Sequence, residues 1–208
     1  MLAALAAGWS LATPALGAPA ARCPARSQQQ AAADARFAVG RYRLESVGAA
    51  VRAALGLVAR DRALGDALAA GDLAAAGRQA LRWVAGPHHI TAIRVVRAGR
   101  VLVGTERYPF DVAGARTVLR RGGRVLGTLE VTIQDVIGFI RLVHKFTGSQ
   151  VVVRGAAGDA RSSLPAALAP PLPTAGCASV GGHAYAVRSF GVSDFTGAPL
   201  RIWVLRAA

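Results

Sequence analysis

At Gly86-Pro87 the chain changes its period, and that change constrains the fold more than any other feature. Before the breaker pair the apolar residues recur at helical steps, and after it they alternate as in strands. Phe37, Tyr42, Leu44, Val47, Val51, Leu55 and Val58 follow three- and four-residue spacing, and Asp34 stands where an N-cap belongs. A second helical run covers 66–84, and Gly71-Asp72 is placed to divide it.

Beyond Pro87, ITAIRVV turns at Ala98-Gly99 into RVLVGTE. Residues 116–119 and 125–133 form a second strand pair around RRGG. DVIGFIRLVHKFTG returns to helical spacing, with Asp135 as its cap, Gly148 as its stop, and Val136, Phe139, Ile140, Val143 and Phe146 on one face as core. QVVVRG is a short strand. A Pro- and Gly-rich loop at 158–182 follows, and HAYAVRSFGV with PLRIWVL makes a closing hairpin. Trp203 on the last strand reads as core or interface.

The first 21 residues carry no charged side chain, and small residues follow the helix-breaking Pro14. They read as a signal peptide cut after Gly17 or Ala18, with an uncleaved membrane anchor as the alternative. Residues 22–33 read as a polar linker, and 34–208 as one folded domain. Cys23 and Cys177 are the only cysteines. They pair with each other in an oxidising compartment, or Cys23 stays free in a tail.

Catalysis finds no support. No nucleophile elbow, zinc-protease motif or phosphate loop occurs, and GGRVLG has the wrong spacing for one. His88-His89 precede a strand, where neighbouring side chains diverge, and His144 and His183 are isolated, so no metal or cofactor is expected. Lys and Arg exceed Asp and Glu by 25 to 11, but the arginines are spread along the chain and aromatics are few, so nucleic acid is not expected as a partner.

The central blocks IRVVRAGRVLVG and GGRVLGTLEVTIQDVIGFIRLVHKFTGSQVVVR, closed by GHAYAVRSF and LRIWVL, resemble the single Cache domains, PAS-like extracytoplasmic sensors of bacteria. The resemblance spans residues 34–208. It implies an α+β fold, with an antiparallel sheet of five or six strands and a long N-terminal helix on one face. It also implies a small-molecule pocket between sheet and loops, and a membrane signalling protein as partner. The chain ends at Ala208, directly after the last strand, so the expectation is a secreted or anchored binding module.

For an anionic ligand, the residues nominated to bind it are Arg94, Arg107, Tyr108 and Tyr185. Arg94 shares strand parity with Ile90, Ala92 and Val96, so its charge needs a ligand or an ion pair, and Glu130 is the alternative partner. Arg107 and Tyr108 sit in a loop able to reach a cavity, and Tyr185 lies on the opposite strand face from Arg188. Loop 158–182 is expected to order on binding. The competing reading is a partner-docking module without a small ligand, which forms a homodimer through its N-terminal helix.

Overall fold

The computed structural model describes residues 22–106 and 110–208. Helix α1 (Ala25–Val47) is followed by α2 (Ala49–Ala59), α3 (Arg62–Ala70) and α4 (Leu73–Ala85). Strands β1 (Ala92–Arg97), β2 (Arg100–Gly104), β3 (Ala115–Arg121) and β4 (Arg124–Thr132) come next, then α5 (Val136–Thr147). The chain closes with β5 (Gln150–Gly155), β6 (Ala160–Ser162), a 3-10 turn at Pro165–Leu168, β7 (Ala175–Val180), β8 (His183–Ser193) and β9 (Pro199–Ala207).

The strands form two antiparallel sheets, ordered β2-β1-β4-β3 and β6-β5-β9-β8-β7. The α+β class and a five-stranded sheet with α1 against one face are as expected. The second, four-stranded sheet is not: ITAIRVV, RVLVGTE and the RRGG hairpin pair among themselves. Two tight hairpins, β1–β2 and β3–β4, join through the β1–β4 pairing, so they close a sheet without the strands that follow α5.

Three apolar clusters follow from this division. Ile93, Val95, Leu129 and Val131 of the small sheet bury against Val51, Val58, Leu64 and Leu68 of α2 and α3. Ala38 and Tyr42 of α1 and Phe139, Ile140 and Val143 of α5 pack on one face of the large sheet, over Val151, Val153, Ile202 and Val204. The other face carries Val152, Val187, Trp203 and Leu205 beneath the segment holding Ala167 and Leu172. Among the described residues, the large sheet is thus covered on both faces and the small sheet on one.

Several local expectations need correction. The stretch read as a linker, 22–33, is helical from Ala25, because its Gln and Ala residues are good helix formers. Asp34 is therefore no N-cap. It lies buried inside α1, accepting from Ser149 Oγ at 2.6 Å and Gln30 Nε2 at 2.8 Å, with Arg206 at 3.7 Å.

The buried face of α1 is Ala31, Asp34, Ala38 and Tyr42, while Phe37, Leu44 and Val47 stay exposed. Small residues let the helix approach the sheet closely, so size misleads when the contact face is chosen. Phe146 also faces out, 66% exposed, against Phe37.

The 158–182 segment is built rather than loose. The Arg154 guanidinium donates to the carbonyls of Ala167, Leu168 and Pro170, and Trp203 Nε1 donates to Pro173 at 3.1 Å. Gly71 and Asp72 do divide the second helical run, and Asp135 does cap α5 through the Gly138 amide.

Cys23 and Cys177 form a disulfide with Cα atoms 5.8 Å apart, tying the start of α1 to β7. No helix among the described residues is long and apolar enough to cross a membrane.

Candidate functional site

A cleft of about 890 Å³ opens where the α1–α2 bend, the outer edge of β3 and the β8–β9 turn meet. Gly48 makes the bend: a Cβ there would fall 2.2 Å from the Leu44 carbonyl oxygen, which accepts the Gly48 amide. Past the bend, α2 presents Arg52, Leu55, Gly56, Ala59 and Arg60 to the cleft, one stripe at helical spacing. Gly114 brings the start of β3 against β4, because a Cβ would lie 2.1 Å from the Val131 oxygen. Arg116 and Thr117 follow it, and Glu130 of β4 also lines the cleft.

The third wall is Ser193–Gly197. Asp194 folds this turn on itself: its Oδ1 accepts from Thr196 N and Ala198 N, both at 2.8 Å, and from Thr196 Oγ1 at 2.7 Å. The turn is tied to the segment before β3 by the Asp194–Val112 bridge and by Phe195 N donating to the Asp111 carbonyl at 3.1 Å.

Tyr42 joins the same place to α1. Its hydroxyl donates to the Ser193 carbonyl and accepts from Ala113 N at 2.9 Å. Burial pushes the Tyr42 phenol up to about 12; the Ala113 hydrogen bond opposes this and the Asp194 charge adds to it.

Charge in the cleft is mostly positive. Arg52 donates to the Val47 carbonyl, and among the described residues none of Arg52, Arg60 and Arg116 is paired with a carboxylate. Glu130 stands between Arg94 and Arg116 in the cross-strand register. Its carboxylate lies 3.4 Å from Arg94 Nε, with both side chains mostly buried. Neither Arg94 Nε nor Glu130 Oε2 has a well-aligned hydrogen-bond partner among the described residues.

Below the cleft, Asp111 is buried and its Oδ1 has no hydrogen-bond partner among the described residues. Burial, above all, pushes the Asp111 carboxyl up to about 6. The Val136 amide works against this, and the charges of Asp135, Glu106 and Asp194 add to it.

The nominated residues do not converge here. Arg94 stands behind Glu130 in the ion pair named as its alternative, and does not itself line the cleft. Tyr185 packs on the far face of the large sheet, with the cluster around Trp203. Arg107 and Tyr108 lie outside the described residues. The lining residues Arg52, Arg60 and Arg116 went unnominated. The usable signal was the eight-residue interval between two arginines on an otherwise Ala/Leu-rich helix.

No protein-family model matches the chain. No curated protein sequence matches it either. Among solved structures, one of the Vibrio cholerae LuxQ periplasmic domain aligns over 88% of this chain and 98% of its own, at 14% identity and TM-score 0.50. Another structure of that domain gives 13% identity and 0.49, over 88% of this chain and 99% of the other. The sensory domain of the Campylobacter jejuni chemoreceptor Tlp3, with isoleucine bound, gives 10% and 0.44, over 88% and 91%. The likeness at TM-score 0.50 concerns the fold alone: the chain shares the α+β fold of the LuxQ periplasmic domain.

Proposed function

We propose that this chain is an extracytoplasmic sensor module that captures a small anionic ligand in the cleft between α2, β3 and the β8–β9 turn, without catalysis. The observation that carries the reading is the arginine set Arg52, Arg60 and Arg116, unmatched by carboxylate among the described residues, around a concave site. Guanidinium groups in that setting favour carboxylate or phosphate, which they can bind bidentately. Glu130 and its Arg94 partner would set the orientation of a ligand carrying a hydroxyl or amine. Arg107 and Tyr108 remain ligand contacts on sequence grounds.

The cleft also suits signalling. Its walls come from elements packed on different sheets, so an occupant would bias how they are held together. The disulfide and the uncharged first 21 residues support a compartment outside the cytoplasm. A membrane signalling protein is the natural recipient. A second reading, partner docking or homodimerisation through α1, is favoured by the exposed Phe37, Leu44 and Val47 on that helix.

A thermal-shift screen of the full chain against carboxylates, phosphorylated sugars, amino acids, polyamines and neutral sugars tests the proposal. A ligand at 100 times its Kd adds about 2.7 kcal/mol, or about 5–10 °C for a chain of this size. The shift should be confined to anionic compounds and be lost in Arg116→Gln. A shift with polyamines alone, or one unchanged by Arg116→Gln, would reject the cleft as the anion site. Absence of any shift, with self-association through α1, would favour the docking reading.

A further inference from the structure

A second concave site lies along α1 and shares no lining residue with the cleft. Ala32, Ala35, Val39 and Gly40 of α1 and Phe190 of β8 form a groove of about 500 Å³. Three arginines border it: Arg36 and Arg43, seven residues apart on α1, and Arg188 of β8. Among the described residues none of the three makes an ion pair or a side-chain hydrogen bond. An apolar floor inside a ring of unmatched guanidiniums calls for an occupant that is apolar along its length and anionic at one end.

Other occupants fit less well. A second copy seated by the same face would set arginines against arginines. The first 21 residues are apolar but carry no charged side chain, so they cannot neutralise the rim. An acidic peptide would match the charge but leave the apolar floor without a long aliphatic partner. We infer that the α1–β8 groove binds a free single-chain anionic amphiphile, its acyl chain along Val39, Gly40 and Phe190 and its carboxylate or phosphate head among Arg36, Arg43 and Arg188. This site is independent of the cleft assigned above.

The test is calorimetric titration of the full chain with octanoate, decanoate and dodecanoate below their micelle concentrations. Alkyl alcohols and alkyltrimethylammonium ions of the same lengths serve as controls. Each buried methylene should tighten binding about fourfold until the groove is filled. The alcohols should bind at least tenfold more weakly, and the cations should not bind. Arg36→Gln with Arg188→Gln should lose the preference for the anion.

Gly40→Leu supplies a variant that keeps its fold. A Cβ at Gly40 meets nothing within 4 Å, and leucine is the better helix former. Its side chain should occupy the groove and abolish binding with no loss of thermal stability. Affinity independent of chain length, equal binding of the cationic series, or undiminished binding by Gly40→Leu would each overturn the inference. So would binding confined to vesicles of phosphatidylglycerol, which would mark a membrane surface instead.

Discussion

Asp111→Asn should make this protein more stable above pH 6, and the size of the gain can be worked from the site. The Asp111 carboxyl is buried, one oxygen has no hydrogen-bond partner among the described residues, and it is pushed up to about 6 from an ordinary 3.8. A carboxyl raised on folding binds its proton more tightly in the native state. Its contribution to stability is therefore complete below about pH 4, falls as pH rises toward 6, and is lost above that. A rise of that size corresponds to about 3 kcal/mol. Discounted because the effective dielectric even at buried sites is well above that of a dry interior, it leaves about 1–2 kcal/mol.

Asparagine keeps the shape and an acceptor for the Val136 amide but never ionises. The variant should melt about 2–8 °C above the parent at pH 7.5 and within a degree or two of it at pH 4. Thermal unfolding of both chains at half-unit intervals from pH 4 to 8 reads this directly. Parallel curves across the whole range would refute the argument, since they would mean that Asp111 ionises in the folded chain as it does in the unfolded one.

Other expectations follow from the same geometry. Tyr42→Phe leaves the Ala113 amide and the Ser193 carbonyl without their shared hydroxyl; it should cost about 1–3 kcal/mol, with faster amide exchange at 111–113 and 193–197. Replacing Cys23 and Cys177 together by serine opens a loop of sequence separation 154 and should cost about 5 kcal/mol on the chain-entropy account, measured by urea unfolding. Arg94→Leu leaves the Glu130 carboxylate half-buried without its cation and should destabilise the chain; adding Glu130→Leu should recover most of the loss in the same assay. Phe146→Ser should change stability by less than about 0.5 kcal/mol, because the ring is 66% exposed.

Local structure was legible where one residue type does one job. Asp135 as a cap, Gly148 as a stop, Gly71-Asp72 as a helix division and RRGG as a hairpin all follow from backbone chemistry within a few residues. The division into two sheets was not, because strand pairing depends on which edges meet, and β-branched strands of similar composition occur in both. Alanine misled in a different way. Ala31 and Ala38 are fully buried on α1, whereas a hydrophobicity pattern favours Phe37 and Leu44, which stay exposed.

The candidate site was the least legible part. Glu130 as the partner of Arg94 was within reach, since parity and opposite charge suffice to name it. Arg52 and Arg116 meet only because Gly48 bends the helices and Gly114 admits β3 beside β4, and such long-range placement leaves no local signature.

The Cys23–Cys177 bond gives the molecule an unusual mechanical layout. The four-stranded sheet, helices α1 to α5, the α2 and β3 walls of the cleft and most of the α1–β8 groove lie within the covalent ring that it closes, while the β8–β9 turn of the cleft lies outside it. Tension applied between the two ends of the oxidised chain would pass from Cys23 across the disulfide into β7 and out through β8 and β9. The small sheet would carry none of that load. Reduction would put every element in series, so the redox state would decide whether a pull on the chain reaches the α2 and β3 walls of the cleft or only its β8–β9 turn.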